Sequence, residues 1–179
     1  MEEYNKKRNF GVTSEPEGKT EVSGEKLRYV IQHHKASRDH YDLRLEWNGV
    51  LVSWAVPKGP SFNPADKRLA ILVEDHPLEY RHFEGTIPKD QYGGGTVQLW
   101  DEGFWQVSGD IGRDIKQSRS LKFTLHGKRL QGKWVLVKTQ ANQWLWFKES
   151  DEFAQPSAGI QNFTTGIRSS KTMAELENG

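Results

Sequence analysis

The chain has 179 residues, of which 35% are hydrophobic and 27% charged, and this balance is that of one soluble globular domain rather than of a disordered chain. It contains no cysteine, which excludes disulfide bonds, thiolate metal sites and a cysteine nucleophile and favours a cytoplasmic location. No run approaches the roughly 18 apolar residues of a membrane span, and the start lacks the apolar core of a signal peptide, so we expect no membrane partner.

The first residues, 1–27, are predicted to form an extended N-terminal arm. They are polar, rich in Glu, Gly and Lys, and show no helical or strand periodicity. Arg8, Phe10 and Pro16 are the residues of this arm that could dock on the folded part of the protein.

After the arm, the chain consists of short apolar and aromatic runs separated by turn signals, a pattern typical of β-strands. Asn48-Gly49 lies between two runs and predicts a type I′ hairpin turn. Short pieces near 35–39 and 113–119 are the only candidate helices between the runs. The sequence therefore predicts an all-β domain over 28–150, mainly an antiparallel barrel or a closely packed sandwich. The predicted strands are 28–34, 40–47, 50–56, 68–74, 95–100, 104–108, 121–126, 132–138 and 143–148.

Three segments do not fit the strand pattern. Residues 57–67 contain three prolines and predict a loop. Residues 75–94 form a long polar, aromatic and Gly-rich connection, and connections of that length are usually functional. Residues 151–179 are polar again and predict a C-terminal tail or linker, with a short helix or a linker as the alternatives for its last residues, 166–179.

The net charge of +1 hides an uneven distribution along the chain. Residues 71–110 carry eight acidic and two basic residues, whereas residues 111–148 carry nine basic and one acidic residue. In the basic segment the charges alternate with apolar and aromatic residues, which places them on one face of a sheet. We predict that this face contacts a DNA backbone, the alternative being a solvated surface. The candidate contacts are Lys122, Lys133, Lys138 and Lys148.

One predicted strand carries a polar face that suits a metal. Alternation places His40, Asp42 and Arg44 together on this face, and the preceding strand adds Gln32 and His34 in the same way. The short loop between the two strands predicts that they pair as a hairpin. Two histidines and one carboxylate suit a divalent transition metal with open coordination positions, although a solvated polar face is the alternative. The predicted metal ligands are His34, His40 and Asp42.

Other side chains near this face suit a phosphate group. The guanidinium of Arg44 matches phosphate oxygens, and Lys58 and Arg68 flank the proline-rich loop. His76 follows two carboxylates at the end of a strand, so we expect a raised pKa that lets it act as an acid or a phosphate donor. Solvation is the alternative for these residues. Core packing is the alternative for Tyr80 and Tyr92, and a structural or solvated role is predicted for His33, His82 and His126.

The predicted ligand set supports two chemistries. One is metal-assisted hydrolysis, and the other is oxygen activation at non-haem iron, which also uses an H-x-D pair on a β-strand. The oxygenase arrangement needs a further histidine far downstream, whereas the third candidate here lies six residues upstream of His40. The cationic surroundings also suit phosphate, so hydrolysis is favoured.

Four sequence blocks between residues 29 and 105 are long and specific: H-x5-H-Y-D-x-R-L-E, S-W-A-V-P-K-G-P, V-E-D-H-P-x-x-Y and F-E-G-x-I-P-x-x-Q-Y-G. They resemble the 3′-phosphoesterase domain of bacterial DNA ligase D, and the resemblance extends from about Arg8 to Trp146. It implies a β-barrel that uses Mn²⁺, with Co²⁺ or another transition metal as a substitute. The implied activity removes a 3′-terminal ribonucleoside and then the remaining 3′-phosphate from a DNA primer–template.

The resemblance also implies roles for single residues. His34, His40 and Asp42 match the metal ligands. Arg44, His76 and Tyr80 match contacts to the scissile phosphate, with Gln32, Lys58 and Arg68 nearby. Arg8 and Glu15 match residues that assist the diesterase step.

Asn9 stands where the family pattern has an aspartate, and we expect Asn9→Asp to raise ribonucleoside removal and to leave 3′-phosphate removal nearly unchanged. The alternative is an exposed residue of the arm that has no role. The implied partners are an ATP-dependent DNA ligase and a polymerase, in cis or in trans. The alternative function is a non-catalytic module that binds DNA ends or the ligase.

Overall fold

The computed structural model describes residues 1–21, 26–109 and 114–179. The strands are β1 (Leu27–Lys35), β2 (Asp39–Trp47), β3 (Val50–Val56), β4 (Arg68–Pro77), β5 (Gly85–Ile87), β6 (Gly95–Val107), β7 (Ser120–Gly127), β8 (Gln131–Gln140) and β9 (Gln143–Lys148). The helices are α1 (Glu2–Lys6) and α2 (Met173–Asn178), with 3₁₀ helices η1 (Leu78–His82), η2 (Ile115–Gln117) and η3 (Ile160–Asn162). Neither α-helix of the described chain is long enough to cross a membrane.

Eight of the strands close into an antiparallel barrel, which confirms the predicted fold class. The order is β1-β2-β3-β4-β9-β8-β7-β6, and β6 pairs again with β1. The long strand β6 also carries β5 as a short partner at its beginning.

Each predicted strand is present, but three details of the prediction are wrong. The runs 95–100 and 104–108 form the single strand β6, and β5 lies inside the segment that was expected to be a loop. Residues 35–39 form the bend of a hairpin rather than a helix, whereas η2 lies in the predicted piece 113–119, whose first residue is outside the described residues.

The barrel is filled by the apolar face of each strand. Six tryptophans are almost completely buried, and this explains why the chain is rich in this residue: Trp54, Trp100, Trp105, Trp134, Trp144 and Trp146. The turn between β2 and β3 has positive φ at both Asn48 (50°) and Gly49 (81°), as the predicted type I′ turn requires. This turn fixes the register between β3 and β2, the strand that carries His40, Asp42 and Arg44 of the polar face.

The extended N-terminal arm is not confirmed. The chain begins with helix α1, and Tyr4 on that helix is completely buried. Tyr4 packs into a second apolar cluster outside the barrel, together with Leu51, Leu78 and Tyr80, and Phe10 packs against its edge. The N-terminal segment therefore covers one wall of the barrel. Residues 22–25 of the predicted arm lie outside the described residues.

The C-terminal tail packs against β6. The indole N–H of Trp100 donates to the carbonyl of Phe163 at 2.8 Å, and the two rings are in edge contact. Arg168 donates from two nitrogens to both carboxylate oxygens of Glu102 at 2.6 Å. Helix α2 begins with a capping box formed by Thr172 and Glu175.

Candidate metal and phosphate site

The site lies on the outer face of the wall formed by β1 and β2. Antiparallel pairing sets His34 opposite His40 and Gln32 opposite Asp42, as the sequence predicts. The alternate residues of both strands, such as Ile31 and Leu43, face the barrel core. The polar face is not solvated, because the N-terminal segment and η1 cover it, and Asp42 is only 5% exposed.

His34, His40 and Asp42 form a compact cluster with metal-ligand chemistry. One ligand atom from each residue lies within 4.8 Å of the other two. His34 Nδ1 is 3.9 Å and His40 Nε2 is 3.3 Å from the Asp42 carboxylate. The cavity beside this cluster has a volume of about 280 Å³.

The second nitrogen of each imidazole fixes which atom faces the cluster. His34 Nε2 lies 2.7 Å from the carbonyl of Gly93, and His40 Nδ1 lies 3.2 Å from the carbonyl of Arg38. A carbonyl only accepts hydrogen bonds, so these nitrogens carry the protons. The lone pairs of His34 Nδ1 and His40 Nε2 are therefore left for the cluster, the arrangement found around metal-bound histidines.

The ionised carboxylate of Asp42 attracts a positive charge to the centre of the cluster. Burial would raise the pKa of Asp42, but the charges of Arg44 and His40 outweigh burial and lower it, so the carboxylate is ionised. Burial lowers the pKa of His34. For His40, burial also acts to lower the pKa, but the hydrogen bond and charge of Asp42 outweigh it and raise the pKa. A proton or a metal ion can supply the charge, and the donor set fits a divalent transition metal.

Arg44 offers an unused donor beside this cluster. Its Nε donates to Gln32 Oε1 at 2.6 Å, and its Nη2 donates to Asp42 at 3.3 Å. Its guanidinium also lies over the ring of Tyr80, 4.9 Å from the ring centroid. Nη1 is buried and has no hydrogen-bond partner within the described part of the chain. A buried guanidinium N–H without a partner is costly, so this atom is suited to an anionic ligand.

A second cation reaches the cavity from the N-terminal segment. Arg8 donates from Nε to Glu15 at 3.1 Å, and its Nη2 lies 3.3 Å from His76 Nε2. Glu15 also accepts from the hydroxyls of Tyr80 at 2.6 Å and Thr13 at 3.0 Å. This network holds the N-terminal segment onto the barrel and aims Arg8 at the cavity.

His76 differs from its predicted state. Burial and the charges of Arg44 and Arg8 hold its pKa well below its usual range, so the expected rise is wrong. Its Nδ1 donates to the carbonyl of Glu74 at 3.0 Å, which leaves Nε2 to accept from Arg8. Neutral His76 therefore helps to hold Arg8.

Comparison with known proteins places the chain in a family. Residues 32–138 match the family model of the DNA ligase D 3′-phosphoesterase domain. The chain belongs to this family. It is similar to the multifunctional non-homologous end joining protein LigD of Pseudomonas aeruginosa, with 47% identity over 157 residues that cover 84% of this chain and 19% of that protein.

Two further LigD proteins show the same relation. The one from Mycobacterium tuberculosis is 38% identical over 175 residues, and the one from Mycolicibacterium smegmatis is 39% identical over 180 residues. Each match covers 97% of this chain and 23% of the relative. The chain thus spans about a fifth of the length of these LigD proteins.

The structure brings most of the predicted residues of this LigD domain together, but not all. The cavity is lined by the three candidate ligands and by Arg8, Glu15, Arg44, His76 and Tyr80. Lys58 is exposed after β3, Arg68 is partly buried at the start of β4, and neither lines this cavity. Gln32 uses both amide hydrogens on the carbonyls of Tyr80 and Phe83, so it positions Arg44 from behind.

The basic face of β7 and β8 lies elsewhere on the barrel. Strand β8 is four strands from β2 in either direction around the barrel, and the exposed Lys122 and Lys133 lie on β7 and β8. Contact of these lysines with DNA stays a prediction. For Lys148 the prediction is wrong, because its side chain is completely buried and its Nζ binds the carbonyl of Lys133 and the carboxylate of Asp151.

The cavity contains three further residues that the strand pattern does not assign to the site. Glu74 pairs with Lys7 and Arg8, at 3.2 and 3.5 Å. Tyr92 lines the mouth of the cavity, and the adjacent Gly93 supplies the carbonyl that orients His34. The Gly-rich end of the long connection was the available signal, since an irregular backbone can present a carbonyl to a side chain.

Proposed function

We propose that this chain is a metal-dependent DNA 3′-end-healing phosphoesterase. It removes a 3′-terminal ribonucleoside as a phosphodiesterase and then the 3′-phosphate as a phosphomonoesterase, leaving a 3′-OH for ligation. The observation that carries the proposal is the cluster of His34, His40 and Asp42 beside Nη1 of Arg44, which has no hydrogen-bond partner among the described residues. Membership in the LigD 3′-phosphoesterase family supports the same activity.

The proposed cofactor is Mn²⁺, held by His34 Nδ1, His40 Nε2 and a carboxylate oxygen of Asp42. Two nitrogens and one carboxylate suit manganese or cobalt better than magnesium, which prefers oxygen ligands in a strict octahedron. When bound, such an ion supplies Lewis-acid stabilisation of a phosphoryl group and activation of water.

The residues of the chain bind and orient the phosphate. Arg44 Nη1 donates to a phosphate oxygen, while Gln32 and Asp42 hold the guanidinium in place. Arg8 approaches from the N-terminal segment and is fixed by Glu15. The two guanidinium groups thus neutralise the phosphate from two directions.

His76 and Tyr80 complete the proposed phosphate site. His76 stays neutral, because burial and the charges of Arg44 and Arg8 hold its pKa well below its usual range, and its Nε2 holds Arg8 beside the phosphate. Burial, together with the charge of Glu15, raises the pKa of Tyr80 well above its usual value, which keeps the phenol protonated as the donor to Glu15 that supports Arg8 beside the phosphate.

The proposed substrate is a primer–template with a 3′-ribonucleotide or 3′-phosphate end, acted on in the cytoplasm. The proposed partners are an ATP-dependent DNA ligase and a polymerase, in cis or in trans. The LigD relatives are about five times longer than the matched region and are named for end joining, which supports this setting.

The experiment is a turnover assay on a 5′-labelled primer–template that ends in one ribonucleotide, with Mn²⁺ present. We expect stepwise shortening, first to the 3′-phosphate and then to the 3′-OH. His40→Ala should abolish both steps, whereas His33→Ala, a histidine on the opposite face of β1, should retain them. Retardation of the DNA in a gel without turnover by the unchanged protein would instead favour a non-catalytic end-binding module.

A further inference from the structure

Tyr92 is an exposed aromatic side chain at the mouth of the proposed catalytic cavity. Its surface is 47% accessible, and it lines the same cavity as Arg44 and His76. The next residue, Gly93, binds His34 through its carbonyl, so the backbone beside Tyr92 is tied to the metal cluster. Lys7 holds the ring from the N-terminal segment, with its Nζ 3.4 Å from the hydroxyl and 4.7 Å from the ring centroid.

The size of the cavity sets which part of a substrate meets Tyr92. Its volume of about 280 Å³ falls below the roughly 300–1,000 Å³ of pockets that enclose a drug-sized ligand. A phosphate bound at Arg44 and part of its sugar therefore occupy the cavity. The base of an attached nucleoside must lie outside, at the mouth, where an exposed aromatic ring can stack on it.

The charges beside Tyr92 indicate which nucleoside this is. Lys7, the cation in contact with the ring, is already paired with two carboxylates, Glu74 at 3.2 Å and Glu3 at 3.3 Å. The retained DNA strand carries a phosphate at every step and needs free cations. The departing 3′-terminal nucleoside is neutral, so this side of the mouth fits the departing nucleoside.

We propose that Tyr92, placed at the cavity mouth beside Gly93 and Lys7, stacks on the base of the 3′-terminal ribonucleoside and positions it for removal. This inference rests on the proposed function, and it makes Tyr92 a residue that determines specificity for the diesterase step. The base is read through its face and not its edge, so all four bases are accepted.

The test combines a variant with a substrate that lacks the base. Steady-state kcat/KM is measured with Mn²⁺ for three primer–templates, ending in a ribonucleotide, in an abasic ribose, or in a 3′-phosphate. Tyr92→Ala should lower kcat/KM on the ribonucleotide end about five-fold or more, the loss typical of one base–aromatic stack. On the abasic ribose and the 3′-phosphate the same variant should match the unchanged protein, since the stacking partner is absent from both.

Two control variants separate stacking from other effects. Tyr92→Phe keeps the ring but loses the hydroxyl contact to Lys7, and it should stay within about two-fold of the unchanged protein on all substrates. Phe104→Ala removes another exposed aromatic ring, on β6 and outside the cavity lining, and it should change none of the three values.

The failure of this inference differs from the failure of the proposed function. An equal loss on all three substrates, or no loss on the ribonucleotide end, would overturn the stacking role while leaving the phosphoesterase in place. Absence of turnover of every substrate by the unchanged protein would overturn the proposed function and the inference with it.

Discussion

Removal of the Tyr80 hydroxyl tests whether the N-terminal segment contributes to catalysis or only to the stability of the fold. This hydroxyl donates to Glu15 at 2.6 Å in a buried environment, and Glu15 in turn holds Arg8. Tyr80→Phe removes this donor with almost no change in volume. A hydrogen bond to a charged group contributes roughly 1.5–3 kcal/mol, so we expect the free energy of unfolding to fall by about 2 kcal/mol. For a chain of this size the melting temperature then falls by about 4–8 °C.

The barrel supplies a matched control for this change. The hydroxyl of Tyr29 donates to buried Asp101, also at 2.6 Å, and neither residue lines the cavity. Tyr29→Phe should therefore lower the melting temperature by a similar amount. Only Tyr80→Phe should lower kcat/KM on a 3′-phosphate end, by about ten-fold, because Arg8 loses part of its support and small misplacements of a catalytic group are costly. Calorimetry and the turnover assay measure the two effects, and equal activity of the two variants would refute the positioning role of this network.

Three further predictions concern the metal, the C-terminal tail and the buried lysine. Manganese should support much higher activity than magnesium at matched concentration, because the ligand set carries two nitrogens, and a titration giving equal activities would contradict the assigned ligands. The hydrogen bond from Arg168 lowers the pKa of Glu102. This pair therefore stabilises the fold at pH values above the ordinary carboxyl pKa of about 4.3, and the stabilisation is lost as the pH falls through the lowered pKa. Arg168→Ala should accordingly melt below the unchanged protein at pH 7, and the difference should shrink as the pH falls below the ordinary carboxyl range. Lys148→Met should lower the melting temperature but leave the affinity for DNA and its salt dependence unchanged, since the side chain is buried. A weaker salt dependence of DNA binding by this variant would show that Lys148 does contact DNA.

The face of each strand was predictable because side chains alternate with a period of two. This rule alone placed His40, Asp42 and Arg44 together, and the hairpin register then brought His34 opposite His40. The same rule explains the error at Lys148, which alternates in step with the buried Trp144 and Trp146 and therefore faces inward. The buried ammonium group of Lys148 is stabilised by the carbonyl of Lys133 and the carboxylate of Asp151. A count of charges along the sequence cannot reveal these contacts.

The cover of the site was not predictable from periodicity. The N-terminal segment is polar and its single-turn helix has no repeating apolar face, so its few apolar anchors, such as Tyr4 and Phe10, form no periodic pattern. The pKa of His76 was misjudged for a related reason. Its neighbour in sequence, Glu74, is neutralised by Lys7 and Arg8, which come from a segment nearly seventy residues away. Long-range pairing of this kind decides the electrostatics of the site.

Asn9 carries the last prediction, and the structure changes what we expect of it. Its side chain is exposed and does not line the cavity, and its Oδ1 accepts from the backbone N–H of Gly11 at 3.1 Å. The carbonyl of Asn9 accepts from Val12 and Thr13, so the residue starts the turn that leads to Thr13 and Glu15.

An aspartate accepts the same hydrogen bond as Asn9, so Asn9→Asp should leave both ribonucleoside removal and 3′-phosphate removal within about two-fold. Asn9→Ala loses the bond and should destabilise the protein by about 1 kcal/mol, the usual worth of one hydrogen bond. Melting curves and separate rates for the two steps measure these effects. A several-fold gain in ribonucleoside removal for Asn9→Asp would show that the family's carboxylate acts on the substrate, because asparagine and aspartate make the same hydrogen bond in the turn.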